Sequence, residues 1–139
     1  MVKVVKFGGS SLASAEQFKK VGNIIRAEES RRFVVPSAPG KRFSDDTKVT
    51  DMLYKCYAEA GKNFDKQLKA IEERYNEIIK GLGLKLSLKE QFETIRKNFE
   101  AKAGTDYAAS RGEYLNGIIM ANYLGYEFID AASVICFDA

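Results

Sequence analysis

The chain of 139 residues is 45% hydrophobic and 29% charged, which is enough apolar content for a single domain with a packed core. Its 22 basic and 19 acidic residues leave a net charge of +3, which is too balanced for the basic surface of a nucleic-acid-binding protein. No apolar run approaches the ~20 residues of a membrane span. The chain has no histidine, which excludes Ser-His-Asp catalysis, Cys-His catalysis and histidine-ligated metals.

The cysteines and the N-terminus indicate a reducing compartment. Cys56 and Cys136 have no metal-ligand spacing, and we interpret both as buried free thiols. The first nine residues, MVKVVKFGG, lack the long apolar core and the cleavage site of a secretory signal. The sequence therefore predicts a cytoplasmic protein without a membrane or nucleic-acid partner.

The first third of the chain predicts a βαβ unit. Residues 2–7 (VKVVKF) and 32–36 (RFVVP) are short apolar strands, and residues 14–30 between them have the apolar spacing of a helix. A helix between two such strands is typical of parallel pairing. In the polar loop that follows, at 37–47, the one candidate for the core is Phe43. The apolar side chains of the helix are Phe18, Val21, Ile24 and Ile25.

The middle of the chain is predicted to be helical. Apolar side chains recur in steps of three and four over residues 64–82, where glycines end the series. Ser87 with Glu90 three residues later is a capping box, which predicts the start of a second helix. We expect the two helices to form an antiparallel hairpin within residues 50–103.

The last part of the chain predicts one more helix and two more strands. The helix spans roughly residues 105–124 and ends at Gly125. Residues 126–130 (YEFID) and 133–137 (SVICF) are predicted to be strands. Strands and helices in this order indicate an α/β fold with a mostly parallel sheet.

A glycine pair connects the first strand to the first helix, in the stretch VKFGGSS at residues 5–11. Backbone N–H groups at such a helix entry, together with the helix dipole, favour an anion such as phosphate. Lys6 adds a full positive charge beside them. The stretch is neither a G-x-G-x-x-G motif nor a Walker loop. Alternatively, Gly8 and Gly9 only form a tight turn, and Lys6 is a surface charge.

VKFGGSS resembles the N-terminal signature of the aspartate kinases, K-F-G-G-[ST]-S, within the amino-acid kinase superfamily. Two further stretches resemble the same family in the same order. These are FVVPSAPGKRFSDDTKVTDML at residues 33–53 and SRGEYLNGIIMANYLGYEFIDA at residues 110–131. The resemblance extends over residues 1–139. Within the stretch at residues 33–53, the loop PGKRFSDD at residues 39–46 is longer than is common in the family, and we interpret it as solvated.

The resemblance implies a role for each matched residue. Lys6 would be the catalytic residue, in contact with the transferring phosphate and the acceptor carboxylate. Ser37 and Thr50 would hydrogen-bond L-aspartate, and Glu113 would pair with its α-ammonium group. Asp130 would be a structural residue near the site. No residue is implied as a metal ligand, because the Mg²⁺ that accompanies ATP would be held mainly by the phosphates. The implied phosphate- and ATP-binding residues are Lys6, Phe7, Gly8, Gly9 and Ser10.

The implied activity is ATP-dependent phosphorylation of the L-aspartate side chain to 4-phospho-L-aspartate, the first step of lysine, threonine and methionine biosynthesis. In the family the kinase domain continues, so we interpret residues 1–139 as the N-terminal, acceptor-binding lobe. It would lack the nucleotide-binding half and the regulatory domains, and we expect negligible turnover from it alone.

The implied fold is a three-layer αβα sandwich with a mostly parallel, incomplete sheet and the helical hairpin. An open sheet edge favours self-association of the isolated lobe. The family dimerises through the regulatory domains that this chain lacks.

Two alternatives stay open at this point. Another amino-acid kinase, with glutamate or acetylglutamate as acceptor, would share the Lys-Gly-Gly opening, although Thr50 and Glu113 favour a free amino acid. A non-catalytic binding domain would use the helical hairpin as its contact surface. A carboxylate acceptor is ionised at neutral pH, with a reference pKa of ~3.9, and needs no general base. The absence of histidine is therefore compatible with the kinase interpretation.

Overall fold

The structure is a computed structural model that describes residues 1–59 and 61–138. Residue 60, inside the predicted hairpin, and residue 139, at the end of the predicted lobe, lie outside the described residues. The elements in chain order are β1 (Lys3–Phe7), a 3₁₀ turn (Gly9–Leu12), α1 (Ala15–Arg26), β2 (Arg31–Pro36), α2 (Val49–Ala58), α3 (Phe64–Gly81), α4 (Lys89–Glu100), α5 (Thr105–Leu124) and α6 (Ala131–Val134).

The predicted βαβ unit is confirmed. β1 and β2 pair in parallel, with Val5 opposite Val34, and α1 connects them. Ser14 caps α1, because its side-chain oxygen accepts the N–H of Gln17 over 3.3 Å. Ile24 was expected in the core but is 48% exposed, since the helix turns it away from the buried stripe. The buried side chains of α1 are Phe18, Val21 and Ile25.

The core lies mainly among the helices. α3 and α4 run antiparallel, because Tyr75 contacts Phe92 while Phe64, nearer the start of α3, contacts Phe99, nearer the end of α4. The predicted hairpin region contains α2 as an additional helix, which packs against α3 and α5.

The predicted capping box at the start of α4 is wrong. The helix begins at Lys89 with Leu88 in the cap position, one residue later than the motif indicates. The buried Leu88 side chain is anchored in the core, and the Ser87 hydroxyl only accepts the Lys89 N–H over 3.4 Å. Packing therefore decides where this helix starts.

The two predicted C-terminal strands are also wrong. α5 ends as expected at Leu124, with Gly125 in the left-handed conformation (φ 73°), but residues 126–130 have no regular structure. Residues 131–134 are the short helix α6, in which the Asp130 carboxylate accepts the Ala132 N–H, and the Cys136 thiol is exposed rather than buried. A strand forms only where a neighbouring strand satisfies its backbone groups, and the sheet of the described residues consists of β1 and β2.

The predicted α/β class with a small parallel sheet is confirmed, and the sheet has two different faces. Val5 and Val34 pack against the core. The other face exposes Val4 (69%), Phe33 (54%) and Val35 (48%). Alternation along each strand explains the difference, because successive side chains point to opposite faces. Within the described ranges, no helix combines the length and the apolar character needed to cross a membrane.

Candidate functional site

The glycine turn after β1 has one open side. Gly8 has extended backbone (φ −76°, ψ 169°), and the 3₁₀ turn that begins at Gly9 is closed by the Ser11 N–H donating to the Gly8 carbonyl over 3.1 Å. A Cβ atom placed on Gly8 would meet nothing within 4 Å. Lys6 and Ser10 are both exposed beside this turn. The space next to Gly8 is therefore accessible to a ligand.

The second glycine of the pair is in close contact with another turn. The Gly40 N–H donates to the Gly9 carbonyl over 2.8 Å. A Cβ on Gly9 would lie 2.8 Å from the Ala38 carbonyl oxygen, and one on Gly40 would lie 2.7 Å from the Gly9 carbonyl carbon. Both positions therefore require glycine, because the neighbouring atoms are backbone atoms with no room to move. The tight-turn interpretation thus holds for Gly9, whereas the space next to Gly8 is open.

The turn from Ser37 to Gly40 directly follows β2. The Ser37 N–H donates to the Phe7 carbonyl over 3.0 Å, which continues the pairing of the two strands. The half-buried side chain of Phe7 packs on the core, so Phe7 offers only its backbone at this edge. At the other end of the turn, the Val49 N–H donates to the Pro39 carbonyl over 3.1 Å, which ties the turn to the start of α2.

α2 and α5 bring Thr50 and Glu113 to the same turn. A Cβ on Gly112 would lie 2.7 Å from the Ala38 Cβ and 3.8 Å from the Thr50 hydroxyl oxygen, so the two helices and the turn meet at this glycine. The buried Tyr75 hydroxyl donates to the Gly112 carbonyl over 2.8 Å. Burial, reinforced by the nearby Glu113 carboxylate, raises the pKa of Tyr75 well above its usual value.

The predicted site residues fall into two groups. Gly9, the Ser37–Gly40 turn, Thr50 and Gly112, which precedes Glu113, belong to one contiguous cluster of contacts. Lys6, Gly8 and Ser10 are exposed within or next to the glycine turn, and Glu113 is exposed on α5. Asp130 lies on the connection to α6, where its carboxylate accepts the Ala132 N–H over 3.0 Å.

Two buried polar side chains at this cluster were missed by sequence reasoning. Arg74 is 5% exposed and donates to the Gly40 carbonyl over 2.8 Å and to the Thr47 carbonyl over 3.0 Å. Asn116 is fully buried and donates to the Ser37 carbonyl over 2.7 Å. Arg74 could have been found from the sequence, because it follows Ile71 by three residues and so falls on the apolar, buried face of α3.

The loop that was interpreted as solvated is exposed over residues 41–45, and ion pairs hold it in place. Arg42 contacts Asp46 at 2.7 Å and Glu77 of α3 at 3.2 Å, and Arg74 lies 3.5 Å from Asp46. Hydrogen bonding from Arg42, with a further contribution from Arg74, holds the pKa of the Asp46 carboxyl far below its usual range. Phe43, the candidate core residue of this loop, is 60% exposed.

The donors at this site suit an anion. Backbone N–H groups and an ammonium group bind phosphate or carboxylate oxygens. In the part of the chain that the structure describes, no three Cys, Asp or Glu side chains come together as metal ligands.

Comparison with known proteins decides the family. The sequence profile described as the amino acid kinase family matches residues 1–139. This chain belongs to the amino acid kinase family. Its predicted resemblance to the aspartate kinases within that family is also confirmed by the relatives described next.

The structure is similar to the crystal structure of Clostridium acetobutylicum aspartate kinase, with a TM-score of 0.89 and 51% sequence identity over 97% of this chain and 33% of that one. It is also similar to E. coli aspartokinase III, solved in complex with aspartate and ADP, with a TM-score of 0.70 and 26% identity over 90% of this chain and 29% of that one. Aspartokinase 3 of Bacillus subtilis is 36% identical over 142 residues, which cover 96% of this chain and 31% of that protein. The chain thus spans about a third of the length of these relatives.

Proposed function

We propose that this chain is the N-terminal, acceptor-binding lobe of an aspartate kinase, which phosphorylates the side-chain carboxylate of L-aspartate with ATP to form 4-phospho-L-aspartate. The observation that carries the proposal is the meeting of four segments, distant in sequence, at one place. The Ser37–Gly40 turn contacts Gly9 on one side and Gly112 on the other, and Gly112 lies close to Thr50. In keeping with this proposal, E. coli aspartokinase III binds aspartate and ADP.

On the phosphate side, the proposed ligands are the backbone of Phe7, Gly8, Gly9 and Ser10 together with Lys6. The open space at Gly8 supports this assignment, because a phosphate oxygen needs direct access to backbone N–H groups. Lys6 would neutralise charge on the phosphoryl group as it moves and would act as the catalytic residue. Mg²⁺ would be held mainly by the nucleotide phosphates, since the donors of this turn suit anions rather than a cation.

On the acceptor side, Ser37 and Thr50 would hydrogen-bond aspartate, and Glu113 would pair with its α-ammonium group. The Thr50 hydroxyl lies close to Gly112, where α5 approaches α2, and Glu113 is the next residue of α5 and is exposed. A carboxylate nucleophile is ionised at neutral pH, so holding it in line with the phosphoryl group is the main requirement.

The remaining parts of the proposal concern the setting of the enzyme. We place it in the cytoplasm, in the first step of lysine, threonine and methionine biosynthesis. The exposed apolar face of the sheet, with Val4, Phe33 and Val35, supports self-association of the isolated lobe. Dimerisation through regulatory domains outside this chain is the arrangement we propose for the whole enzyme, and we propose that the lobe alone has negligible turnover.

The decisive experiment measures aspartate-dependent ADP formation by the protein expressed from its complete reading frame. Lys6→Ala should lower kcat by a factor of at least about 100, because the variant loses the charge that stabilises the transferring group. Lys3→Ala is the matched control on the same strand. Lys3 pairs with Glu28 at 2.7 Å, away from the glycine turn, and its loss should leave kcat unchanged. Normal turnover in Lys6→Ala would remove that residue from the mechanism.

A panel of acceptors separates the alternatives. Aspartate should support ADP formation, whereas glutamate and acetylglutamate should not, and Glu113→Gln should raise the KM for aspartate. Calorimetry tests the non-catalytic alternative, which predicts that neither aspartate nor nucleotide binds. Faster turnover with acetylglutamate than with aspartate would reassign the acceptor.

A further inference from the structure

We propose that Arg74 and Asn116 are positioning residues that clamp the Ser37–Gly40 turn from two helices and, through Gly40, hold the glycine turn in its binding geometry. The inference rests on the proposed function, because it assigns these two residues to the geometry of that site. Neither side chain reaches the open side of the glycine turn in the contacts that the structure describes.

Arg74 holds one end of the turn. Its two terminal nitrogens donate to the Gly40 carbonyl (2.8 Å) and to the Thr47 carbonyl (3.0 Å), so a single guanidinium bridges both ends of the 41–46 loop. An arginine that is 5% exposed is costly to bury without partners, and Asp46 at 3.5 Å supplies the compensating charge. The planar fork of arginine is what allows both carbonyls to be bound at once.

Asn116 holds the other end. Its side-chain nitrogen donates to the Ser37 carbonyl over 2.7 Å, across 79 positions of sequence. The Asn116 side-chain oxygen is buried with no hydrogen-bond partner in the described residues, which adds a desolvation cost to the burial of this amide. Fixing the Ser37 carbonyl orients the residue that we propose binds the acceptor.

Gly40 connects Arg74 to the glycine turn on the phosphate side. Its carbonyl accepts from Arg74 while its N–H donates to the Gly9 carbonyl over 2.8 Å. The two glycines are packed backbone against backbone, so a shift of Gly40 must move Gly9. Arg74 therefore acts on the phosphate side of the site, and Asn116 acts on the acceptor side.

The experiment compares kcat and KM in the complete protein. Arg74→Met keeps the length of the side chain and removes every donor, and we expect kcat to fall by roughly 10- to 100-fold with the KM for aspartate within about twofold of wild type. Arg74→Lys should restore part of kcat, since an ammonium can reach one carbonyl but not both. Arg96→Met is the matched control, because Arg96 pairs with Asp65 and stacks on Phe64 away from the turn.

Gly40→Ala tests the same connection between Arg74 and the glycine turn without changing the Arg74 side chain. The added Cβ would lie 2.7 Å from the Gly9 carbonyl carbon and 2.8 Å from the Ser10 nitrogen, so the glycine turn must move. We expect the same signature as for Arg74→Met, a lower kcat at nearly constant KM. If Arg74→Met fails to fold, Arg74→Lys and Gly40→Ala carry the test.

Asn116→Leu should have the opposite signature. Loss of the bond to Ser37 loosens the acceptor side, so the KM for aspartate should rise by about 2- to 10-fold, with a smaller change in kcat. If this variant fails to fold, Asn116→Gln serves instead, because it keeps the donor but displaces it by one carbon. Equal effects of the Arg74 and Asn116 variants on kcat and KM would overturn the division between the two sides.

Hydrogen exchange gives a readout that is independent of activity. In Arg74→Met, amide exchange should become faster in peptides that contain residues 8–12 and 37–41, and it should stay unchanged in α4 and α5. Faster exchange throughout the protein would reduce Arg74 to a general stability role and overturn the proposal.

The two proposals fail separately. If the wild type lacks aspartate-dependent turnover, the proposed function is wrong, and the exchange measurement still tests the positioning role of Arg74. If the wild type is active and Lys6→Ala is equally active, only the catalytic role of Lys6 is wrong. If Lys6→Ala is inactive while Arg74→Met and Gly40→Ala keep normal kcat, the clamp alone is wrong.

Discussion

The side chains around Phe99 and the turns around Ala38 are both closely packed, but different atoms fill the two regions. Phe99 is fully buried among the rings of Tyr57, Phe64 and Tyr107, whose centroids lie 5.3 to 6.2 Å from its own. Next to Ala38, Gly9 and Gly40 contact each other's turn through backbone atoms, and neither glycine has room for a Cβ atom.

The two regions should therefore differ in which substitutions they tolerate. The aromatic region is damaged when atoms are removed, because a cavity replaces favourable contacts. The glycine region is damaged when a single carbon is added, because rigid backbone cannot yield to it. Backbone-to-backbone packing at glycines suits a site that must present backbone N–H groups to a ligand. The positions of those groups then do not depend on flexible side chains.

Phe99→Ala should have the largest effect on stability. Removing a fully buried ring at the centre of the aromatic cluster should lower the free energy of unfolding by about 3–5 kcal/mol. Denaturant titration followed by circular dichroism measures this change. Phe43→Ala, at a ring that is 60% exposed, is the control and should change the free energy by less than about 0.5 kcal/mol. Similar losses in both variants would contradict the assignment of Phe99 to the core.

Gly9→Ala should have the next largest effect. Its Cβ would lie 2.8 Å from the Ala38 carbonyl oxygen, and we expect a loss of about 1–3 kcal/mol in the free energy of unfolding. Gly8→Ala is the matched neighbour, since its Cβ meets nothing within 4 Å and its φ of −76° suits alanine. Gly8→Ala should leave stability within about 0.5 kcal/mol of wild type. A Gly9 variant as stable as the Gly8 variant would show that the two turns are not in contact.

Tyr75→Phe tests the connection between the two regions. The ring of Tyr75 contacts Phe92 in the core, and its hydroxyl reaches the Gly112 carbonyl at the site. Losing this buried hydrogen bond should cost about 1 kcal/mol. Tyr54→Phe, at a side chain that is 43% exposed, should cost nothing measurable. The comparison of the two unfolding midpoints measures the worth of the buried hydroxyl.

Asp46→Asn should have the smallest effect at neutral pH, and it should change how stability depends on pH. The folded-state pKa of Asp46 lies below its unfolded value of ~3.9. Its contribution is therefore fully present above about pH 4 and is lost as the pH falls through the folded-state pKa. We expect a deficit of about 1 kcal/mol or less at pH 7, because Arg42 is partly exposed and screened, and because the buried Arg74 keeps its hydrogen bonds to the Gly40 and Thr47 carbonyls.

The deficit of Asp46→Asn should shrink on acidification, which urea titrations between pH 2 and 7 would show. Asp45→Asn, in the same loop but at an exposed position, is the control and should parallel the wild type. A constant difference between Asp46→Asn and the wild type over the whole range would contradict the paired carboxylate.

Much of the fold follows from local sequence patterns. Valine-rich strands around a helix predicted the parallel pair β1 and β2, and Gly125 predicted the end of α5. The predictions failed where contacts with residues distant in sequence decide the local structure. Residues 126–130 and 133–137 have strand composition but pair with no strand in the described residues. The burial of Leu88 in the core accompanies the later start of α4.

The candidate site divides in the same way. The motif KFGGSS with the Gly-Glu helix indicated the family, and the family comparison confirms it. The roles of Lys6, Ser37, Thr50 and Glu113 stay predictions for the experiments above. Arg74 lies outside the matched stretches, and Asn116 lies within the stretch at residues 110–131 but was assigned no role. Neither contact could be read from the sequence, because the partners are 34 and 79 positions away.

By itself, the sequence determined the family, the βαβ start and the helical character of the middle of the chain. The βαβ start and the helices follow from residues that are close along the chain, whose periodicity can be read directly, whereas the family follows from the resemblance of three stretches to the aspartate kinases. Only the tertiary structure decided that Gly9 lies against Gly40, that an arginine and an asparagine are buried behind the turn, and that one face of the sheet is exposed. Those features depend on contacts between segments far apart in sequence, which no local pattern specifies.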